Sequence, residues 1–280
     1  MAKGAGTNLK RLIRLAIPEK RKKPPLNSEA WIRVSGLAML CAREEVLCSR
    51  LDRVRDDNID ADLMMIFEHG HGLHWALQNR VLPLTEALYG RWVCASCGKI
   101  HGGQDTWFAD DMAEFEARQI LRPQKCSCGA ALTPDNSLYI EQHVKDKAYR
   151  LMGHPDGFIR IEGFPGLGVL EVKSISARGA WEVRGCAKLD HVTQAQCYMW
   201  MTGCRWGKVL YWDKGAPGMS GLIEHTVEYD EDHVEAIQNL VRDIWAGIEG
   251  GKLPEKICGS PDCNRAELCA TAKECFDASA

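Results

Sequence analysis

The chain contains 13 cysteines in 280 residues, and eight of them fall into two short groups. The N-terminus carries Lys3, Lys10, Arg11 and Arg14 without an apolar stretch behind them, so it lacks the layout of a secretory signal peptide. We therefore expect a cytoplasmic protein. Because thiols stay reduced in that compartment, grouped cysteines indicate metal ligands rather than disulfides.

The first group consists of two cysteine pairs, each followed by a glycine. Such knuckles are typical of a zinc ribbon, because the glycine lets backbone amides turn toward the sulfur atoms. His101 is the alternative ligand nearby. Two roles are open for the ribbon: a structural staple, or an accessory that grips DNA through neighbouring aromatic and basic side chains. The predicted zinc ligands are Cys94, Cys97, Cys126 and Cys128, and the neighbouring residues are Trp92, Lys99, Trp107 and Arg122.

The second group occupies residues 258–275 near the C-terminus. Four thiolates in so short a segment are too dense for ordinary core residues, and they suit either zinc or an iron–sulfur cluster. The tail cysteines are Cys258, Cys263, Cys269 and Cys275, whereas Cys48, Cys186, Cys197 and Cys204 have no partner spacing and are predicted to be buried thiols.

Hydrophobic periodicity divides the chain into helices first and a small sheet later. This order, with one helix crossing between strands, predicts an α/β or α+β fold. The predicted helices cover residues 35–51, 63–81, 190–202 and 231–250, and the predicted strands residues 138–144, 157–162, 168–174, 208–212 and 222–229.

Two acidic residues and a lysine stand out in the β-rich half of the chain. Asp156 lies at the mouth of one predicted strand, and Glu171 and Lys173 are two apart on the next, so they share a face. Carboxylates suit Mg²⁺ or Mn²⁺, and a nearby lysine can orient or deprotonate an attacking water. A solvated strand face is the alternative interpretation. The apolar neighbours of Glu171 favour a buried strand, where unpaired charges are costly.

The order of these residues resembles that of the PD-(D/E)XK nuclease superfamily, in the RecB-like branch that carries an iron–sulfur cluster. This branch includes bacterial RecB and AddB nuclease domains, the CRISPR-associated adaptation nuclease and phage exonuclease-like proteins. The resemblance spans about residues 35–278 apart from the ribbon, and the order of the motifs is more specific than any one of them. The motifs are Gly70-His71-Gly72-Leu73-His74, Gly153-His154-Pro155-Asp156-Gly157, Glu171-Val172-Lys173 and Gln194-x3-Tyr198.

The resemblance implies a restriction-endonuclease-like fold, in which a mixed central sheet is flanked by helices. It also implies bound Mg²⁺ or Mn²⁺, a lysine that positions the attacking water, and a glutamine and tyrosine on one helix face that support the active-site strand or contact DNA. The implied metal ligands are His74, Asp156, Glu171 and the carbonyl of Val172, and the other implied site residues are Lys173, Gln194 and Tyr198.

Three histidines compete for the helical motif position. His74 shares a helix face with Phe67 and Leu77, whereas His71 lies off that face, and His69 is the third candidate. We therefore predict His74 as the metal ligand.

The same branch of the superfamily holds a 4Fe–4S cluster with one cysteine from the first helix and three near the C-terminus. By resemblance, Cys41 is the first ligand, and the cluster joins the two ends of the chain across the nuclease core. We favour Cys41, Cys258, Cys269 and Cys275 as its ligands. Cys263 stays open as an alternative, and so does a separate zinc site made by the four tail cysteines.

These patterns divide the chain into five parts. Residues 1–23 carry eight Lys and Arg against one Glu, so the first part either binds phosphates or is a solvated tail. The predicted parts are a basic flexible arm (1–27), a helical part of the nuclease domain (28–90), a zinc-ribbon insertion (91–132), the nuclease core (133–252) and an iron–sulfur tail (253–280).

The resemblance implies a phage-type, metal-dependent DNA exonuclease that acts on ends or single strands in recombination, repair or replication. A DNA-binding structural factor that cuts nothing is the alternative, and a redox sensor built on the cluster is a third interpretation. The intact histidine, acidic and lysine set favours the nuclease. Expected partners are DNA and recombination or replication proteins in a bacterial or phage-infected cell, and no membrane, since no run reaches 18 apolar residues.

Overall fold

The computed structural model describes residues 9–16, 22–56, 59–216 and 218–277. The helices are α1 (Leu9–Ala16), α2 (Val34–Leu37), α3 (Ala42–Arg50), α4 (Ala61–Ala76), α5 (Met112–Arg118), α6 (Ala177–Glu182), α7 (Leu189–Thr202), α8 (Glu231–Ile248), α9 (Asn264–Glu267) and α10 (Ala272–Asp277). A π-helical turn (Leu77–Val81) follows α4, and short 3₁₀ turns cover Leu82–Leu84, Ala109–Asp111 and Gly218–Gly221.

Fourteen strands are described in the same parts of the chain. They are β1 (Lys22–Lys23), β2 (Ile32–Arg33), β3 (Arg55–Asp56), β4 (Leu88–Tyr89), β5 (Arg91–Cys94), β6 (Ile100–His101), β7 (Thr106–Phe108), β8 (Ser137–Ile140), β9 (His143–Asp146), β10 (Leu151–Gly153), β11 (Gly157–Ile159), β12 (Gly168–Ile175), β13 (Trp206–Asp213) and β14 (Leu222–Glu228).

The central sheet has five strands in the order β14-β13-β12-β11-β4. β12 and β13 run parallel, whereas the other neighbours are antiparallel, so the sheet is mixed. The parallel pair requires a crossover, which α6 and α7 supply. The predicted α/β class with a mixed sheet flanked by helices is therefore confirmed. The other sheets have the orders β2-β10-β9-β7, β6-β5-β8 and β1-β3.

The main core lies where α7 and α8 cover the central sheet. β12 is buried along most of its length, as its apolar run predicts, and α7 crosses it with Tyr198 and Met199 fully buried. α8 begins where the sequence predicts, because the Asp230 carboxylate accepts the His233 backbone N–H at 3.0 Å. Its apolar positions, such as Val241, then face the core at helical spacing.

The two N-terminal helices differ from their predictions. The helix predicted over 35–51 is divided into α2 and α3, because Cys41 has an extended backbone and forms the N-cap of α3. Ser35, the predicted cap, lies inside α2. No residue of α4 is buried although it carries the predicted apolar stripe, and Phe67 of that stripe is exposed; burial begins at Leu77.

The predicted ribbon segment 91–132 does not stand apart from the core. β7 pairs with β9 in parallel, and Trp107 and Phe115 are buried in the main core. One cysteine of each pair, Cys94 and Cys126, forms a small separate cluster with Leu132. The local sequence shows the cysteine knuckles but not the long-range strand pairing, so the predicted insertion is more closely joined to the core than we expected.

The predicted basic flexible arm lies partly outside the described residues. Within it, α1 is helical, and the Arg14 guanidinium lies 3.2 Å from the Asp62 carboxylate of α4. Lys22–Lys23 pairs with Arg55–Asp56 as a short antiparallel ribbon. Among the described residues, no helix combines the length and apolar character that crossing a bilayer requires.

Candidate metal and catalytic site

A cleft of about 570 Å³ opens beside α4, between the central sheet and α7. It brings together all six side chains that the motifs single out, although these come from distant parts of the chain. The lining includes His74 of α4, Asp156 at the start of β11, Glu171 and Lys173 of β12, and Gln194 and Tyr198 of α7.

Contacts with His74 and Val172 hold the two carboxylate oxygens of Asp156 in place. Its Oδ1 lies 3.1 Å from His74 Nδ1, and its Oδ2 accepts the backbone N–H of Val172 at 2.6 Å. The His74 imidazole is partly buried, which lowers its pKa, but the Asp156 carboxylate outweighs this and the pKa is raised. Val172 therefore contacts the site through its N–H, whereas the role predicted for its carbonyl remains a prediction.

Glu171 carries a buried carboxylate with one unused oxygen. The residue is 1% exposed; its Oε1 lies 2.5 Å from Lys173 Nζ, but its Oε2 has no hydrogen-bond partner among the described residues. Burial, and then the charge of Asp156, raises the pKa of Glu171 to about 8. A buried acceptor without a partner is costly, so a cation at Oε2 would relieve this cost.

Lys173, Gln194 and Tyr198 form a chain of polar contacts. Lys173 Nζ donates to Gln194 Oε1 at 2.9 Å, and Gln194 Nε2 lies 3.5 Å from Tyr198 Oη. Burial lowers the pKa of Lys173, but the charges of Glu171 and Asp156 more than offset this, and the ammonium form is favoured. The Tyr198 ring also packs against Gly153, where any Cβ would come within 2.6 Å of it.

Glu141 is a site residue that the sequence did not reveal. One ligand atom each of His74, Glu141 and Asp156 lies within 4.8 Å of the others, a spacing suited to a shared metal ion. Gln78, on the π-helical turn after α4, donates to Glu141 Oε1 at 2.9 Å and to the Asp156 carbonyl at 2.7 Å. Neither residue belongs to a recognisable motif, and the only available signal was a charged residue within the predicted strand 138–144.

The structure also separates the three competing histidines. His74 contacts Asp156, whereas His71 lines the same cleft and lies 3.4 Å from Glu68 of its own helix. His69 is exposed and does not line the cleft. Of the three, His74 is therefore the one that the fold places against an acidic site residue.

We expect Glu171→Gln to stabilise the metal-free protein at alkaline pH. The unfolded chain releases the Glu171 proton near pH 4.5, whereas the folded protein holds it until about pH 8, so wild-type stability falls as pH rises between these values. The variant should gain about 1–3 kcal/mol at pH 8.5, raising the melting temperature by roughly 3–8 °C, and little at pH 5. Calorimetry in EDTA measures this gain, with Glu255→Gln, which changes an exposed glutamate, as the control. A gain that does not depend on pH would contradict the prediction.

The four cysteines of the predicted ribbon converge on one point. Their sulfur atoms lie within 4.8 Å of one another, with separations of 3.9 Å between Cys94 and Cys128 and 3.7 Å between Cys97 and Cys126. Four sulfurs bound tetrahedrally to zinc at about 2.3 Å lie about 3.8 Å apart. The donor set therefore fits zinc in both chemistry and spacing.

The knuckle geometry favours the thiolate form of Cys126. Cys126 accepts the Cys128 backbone N–H, and His101 Nε2 lies 3.3 Å from its sulfur; these contacts outweigh burial and lower the pKa of Cys126 to about 5. At Cys97 the hydrogen bond from the Lys99 backbone is outweighed by the neighbouring sulfur atoms, which raise the pKa of that thiol. Gly98 and Gly129 have φ of +74° and +92°, so these turns need glycine.

The two tryptophans near the ribbon are not available to contact DNA, as the alternative DNA-binding role of the ribbon would require. Trp92 and Trp107 are fully buried, so neither indole can stack on a nucleic acid. Arg122 lies over the Trp92 ring, and Lys99 donates to Ser127 within the ribbon. These contacts favour the structural staple.

The C-terminal cysteines meet the N-terminal part of the chain. Cys41, Cys258, Cys269 and Cys275 line one cavity of about 20 Å³. Cys263 caps α9 by accepting the Ala266 N–H at 3.4 Å, and this bond lowers its pKa. The four lining thiols suit an iron–sulfur cluster chemically, although the cavity must widen to admit one, and Cys263 remains an alternative ligand.

Side-chain bonds hold this tail against α3 and the segment after it. Arg43 donates to the Pro254 carbonyl at 2.8 Å, and Arg53 forms an ion pair with Glu274 at 2.5 Å. The Ala270 N–H donates to Glu44 at 3.2 Å. The two ends of the chain are thus adjacent in the fold, as a shared set of ligands requires. Of the predicted buried thiols, Cys186 is instead exposed, because it lies on the loop between α6 and α7.

No family model and no curated protein matches this chain. Solved structures match it at low identity. An alkaline exonuclease, LHK-Exo from Laribacter hongkongensis, is 15% identical over 78% of this chain and 88% of its own, with a TM-score of 0.45. LHK-Exo in complex with dAMP is 22% identical over 36% of this chain and half of its own, with a TM-score of 0.32. SSO0001 is 15% identical over 82% of this chain and 81% of its own, with a TM-score of 0.38.

Proposed function

We propose that the chain is a metal-dependent DNA nuclease that hydrolyses phosphodiester bonds at DNA ends or in single strands. The observation that carries this proposal is the unpartnered, buried Oε2 of Glu171, a residue that lines the cleft together with Asp156 and His74. Lys173 beside it supplies the cationic group that phosphate chemistry needs. A purely structural site gains nothing from a buried carboxylate oxygen that lacks a partner.

The donor set of His74, Asp156 and Glu141 fits Mg²⁺ or Mn²⁺, because their ligand atoms lie within 4.8 Å of one another. Glu171 lies outside that group but lines the same cleft, and we propose it as the further ligand. Bound there, such an ion would supply Lewis-acid stabilisation of charge on the scissile phosphate. The Val172 N–H orients Asp156, and Gln78 orients Glu141, so both carboxylates are held before substrate arrives.

Lys173 performs the remaining chemistry in this proposal. Its ammonium is held by Glu171 and Gln194, so it can fix the attacking water and offset negative charge on the phosphate. Tyr198 packs beneath Gly153 and contacts Gln194, which keeps Lys173 aimed at the cleft.

The exonuclease part of the proposal is tested with DNA that has no ends. Linear and circular single strands of equal length are incubated with the protein and Mn²⁺. An exonuclease shortens the linear strand to small products and leaves the circle intact. Cleavage of the circle at a similar rate would show an endonuclease and overturn this part, while leaving the metal-dependent chemistry in place.

We further infer that Cys94, Cys97, Cys126 and Cys128 bind one structural Zn²⁺ per chain. Cys97→Ser is expected to lose the zinc and loosen residues 91–132, because one of four ligands is removed. Elemental analysis and limited proteolysis measure both effects. The control is Cys186→Ser, an exposed cysteine outside the group, which should retain the zinc. Anaerobically purified wild type without zinc would refute this site.

The third inferred cofactor is a 4Fe–4S cluster held by Cys41, Cys258, Cys269 and Cys275. Its support is that these four cysteines line one cavity and that the tail is tied to α3 around them. The cluster would add a covalent connection between the chain ends that the arginine contacts already bring together.

A further inference from the structure

An exposed tryptophan follows the strand that carries the candidate catalytic residues. β12 ends two residues after Lys173, and α6 begins at once, with Ser176 as its cap. Trp181 on α6 is 72% exposed, and so is Leu189 at the start of α7. A nearly free indole forgoes much of the stabilisation that burial would give, so this segment has an aromatic face available to a partner.

The same segment, which we call the 176–189 surface, is positively charged. It contains Arg178, Arg184 and Lys188 against the single Glu182, a net charge of +2 in a chain whose total is −3. Glu182 is shared, since it lies 3.6 Å from Arg178 and 3.1 Å from Lys188. Arg184 is exposed and has no ion-pair partner among the described residues. Cations therefore flank the exposed indole.

Backbone contacts place this surface next to the catalytic end of β12. Lys173 is paired in register with Tyr211 of β13. Tyr211 Oη accepts the Lys188 backbone N–H at 2.9 Å and lies 2.8 Å from His191 Nδ1. The C-terminal end of the surface is thus hydrogen-bonded to Tyr211, the residue paired with Lys173 in the sheet.

We propose that the 176–189 surface binds single-stranded DNA, with a base stacked on Trp181 and backbone phosphates on Arg178, Arg184 and Lys188. An unpaired strand offers free base faces, whereas duplex DNA keeps its bases stacked inside the helix. Aromatic stacking combined with a cationic path is the usual basis of sequence-independent single-strand binding. This proposal rests on the proposed nuclease function and specifies its substrate as an unpaired strand.

The test uses full-length protein carrying Glu171→Ala, so that binding is measured without cleavage. Fluorescence anisotropy compares a 20-nucleotide oligothymidylate with a blunt duplex of 20 base pairs. Trp181→Ala is expected to weaken oligothymidylate binding about tenfold and duplex binding less than twofold. Trp181→Phe should restore single-strand binding to within about threefold, because it keeps an aromatic face. The logarithm of the association constant falls linearly with the logarithm of the salt concentration, and Arg184→Ala should make this slope less steep by about 0.7.

The matched control is Met219→Ala, which truncates another large, exposed apolar side chain outside this surface. It should leave both affinities unchanged. The proposal is overturned if the parent protein does not bind oligothymidylate, if Trp181→Ala binds it as tightly as the parent, or if both DNAs lose affinity equally. Size-exclusion chromatography showing that Trp181→Ala converts a dimer into a monomer, with DNA affinity unchanged, would instead make this a self-association surface.

Failure of this proposal is distinguishable from failure of the nuclease proposal. Wild-type protein that binds oligothymidylate through Trp181 but cuts no DNA would retain the surface and refute the catalytic role. Protein that cuts DNA, and whose affinity for oligothymidylate does not change in Trp181→Ala, would support the nuclease proposal and refute the 176–189 surface.

Discussion

Glu171→Ala is expected to reduce the rate of DNA hydrolysis by at least about 10³-fold while DNA affinity changes less than threefold. The substitution removes a buried carboxylate that the metal site needs, and it leaves Lys173 without its 2.5 Å partner. Asp156→Ala and Lys173→Ala should cause losses of similar size, because residues that act as one unit have effects that do not add. The measurement is single-turnover cleavage of end-labelled DNA with saturating Mn²⁺.

Glu224→Ala is the matched control for this series. Glu224 is also a strand carboxylate bonded to a lysine, Lys208 at 2.7 Å, but it lies on β14 outside the cleft. Its loss should change the rate less than threefold. Glu171→Ala protein that cuts as fast as wild type, once contaminating nuclease is excluded, would show that the site is misassigned.

Cys41→Ser or Cys269→Ser is expected to bleach the protein and lower its melting temperature by roughly 5–10 °C. Anaerobic wild type should be brown, absorb broadly near 400 nm and contain about four irons per chain. Cys41 and Cys258 are separated by more than 200 residues, so a cluster that binds both closes a very long loop, where a cross-link is expected to stabilise most. Absorption spectra, iron analysis and calorimetry measure the three effects.

Cys263→Ser separates the two possible ligand sets. Cys263 caps α9 and contacts the Cys258 thiol, but it does not line the cavity shared by the other cysteines, so we expect its loss to leave the colour intact. Colourless wild-type protein with a second zinc would mean that the four tail cysteines form their own site. Cys41 would then be an ordinary residue at the start of α3.

The spacing of apolar residues along the sequence was sufficient to predict those helices and strands that bury one continuous face in the core. β12 and α8 belong to this class, because a buried strand needs a continuous apolar run and a buried helix needs a stripe at helical spacing. α4 has the same stripe, yet no residue of it is buried. The pattern indicates that apolar side chains share a face, and only the tertiary arrangement decides whether that face is buried or exposed.

The site was predictable to the extent that its residues are adjacent in sequence or belong to a motif. Glu171 and Lys173 are linked by strand alternation, and Gln194 and Tyr198 by a helical turn. Glu141 and Gln78 come together only because the π-helical turn after α4 packs beside the end of β8, a contact between residues 63 apart. No local rule encodes that contact, so the sequence could not reveal it.

The most direct test of the central claim is Mn²⁺-dependent cleavage of end-labelled single-stranded DNA by wild-type protein, assayed beside Glu171→Ala purified in the same way. The account predicts that wild type shortens the strand in Mn²⁺, that EDTA stops the reaction, and that the variant leaves the strand at full length. Intact DNA in the wild-type reaction with Mn²⁺ and with Mg²⁺, or equal cleavage by the two proteins, would contradict it.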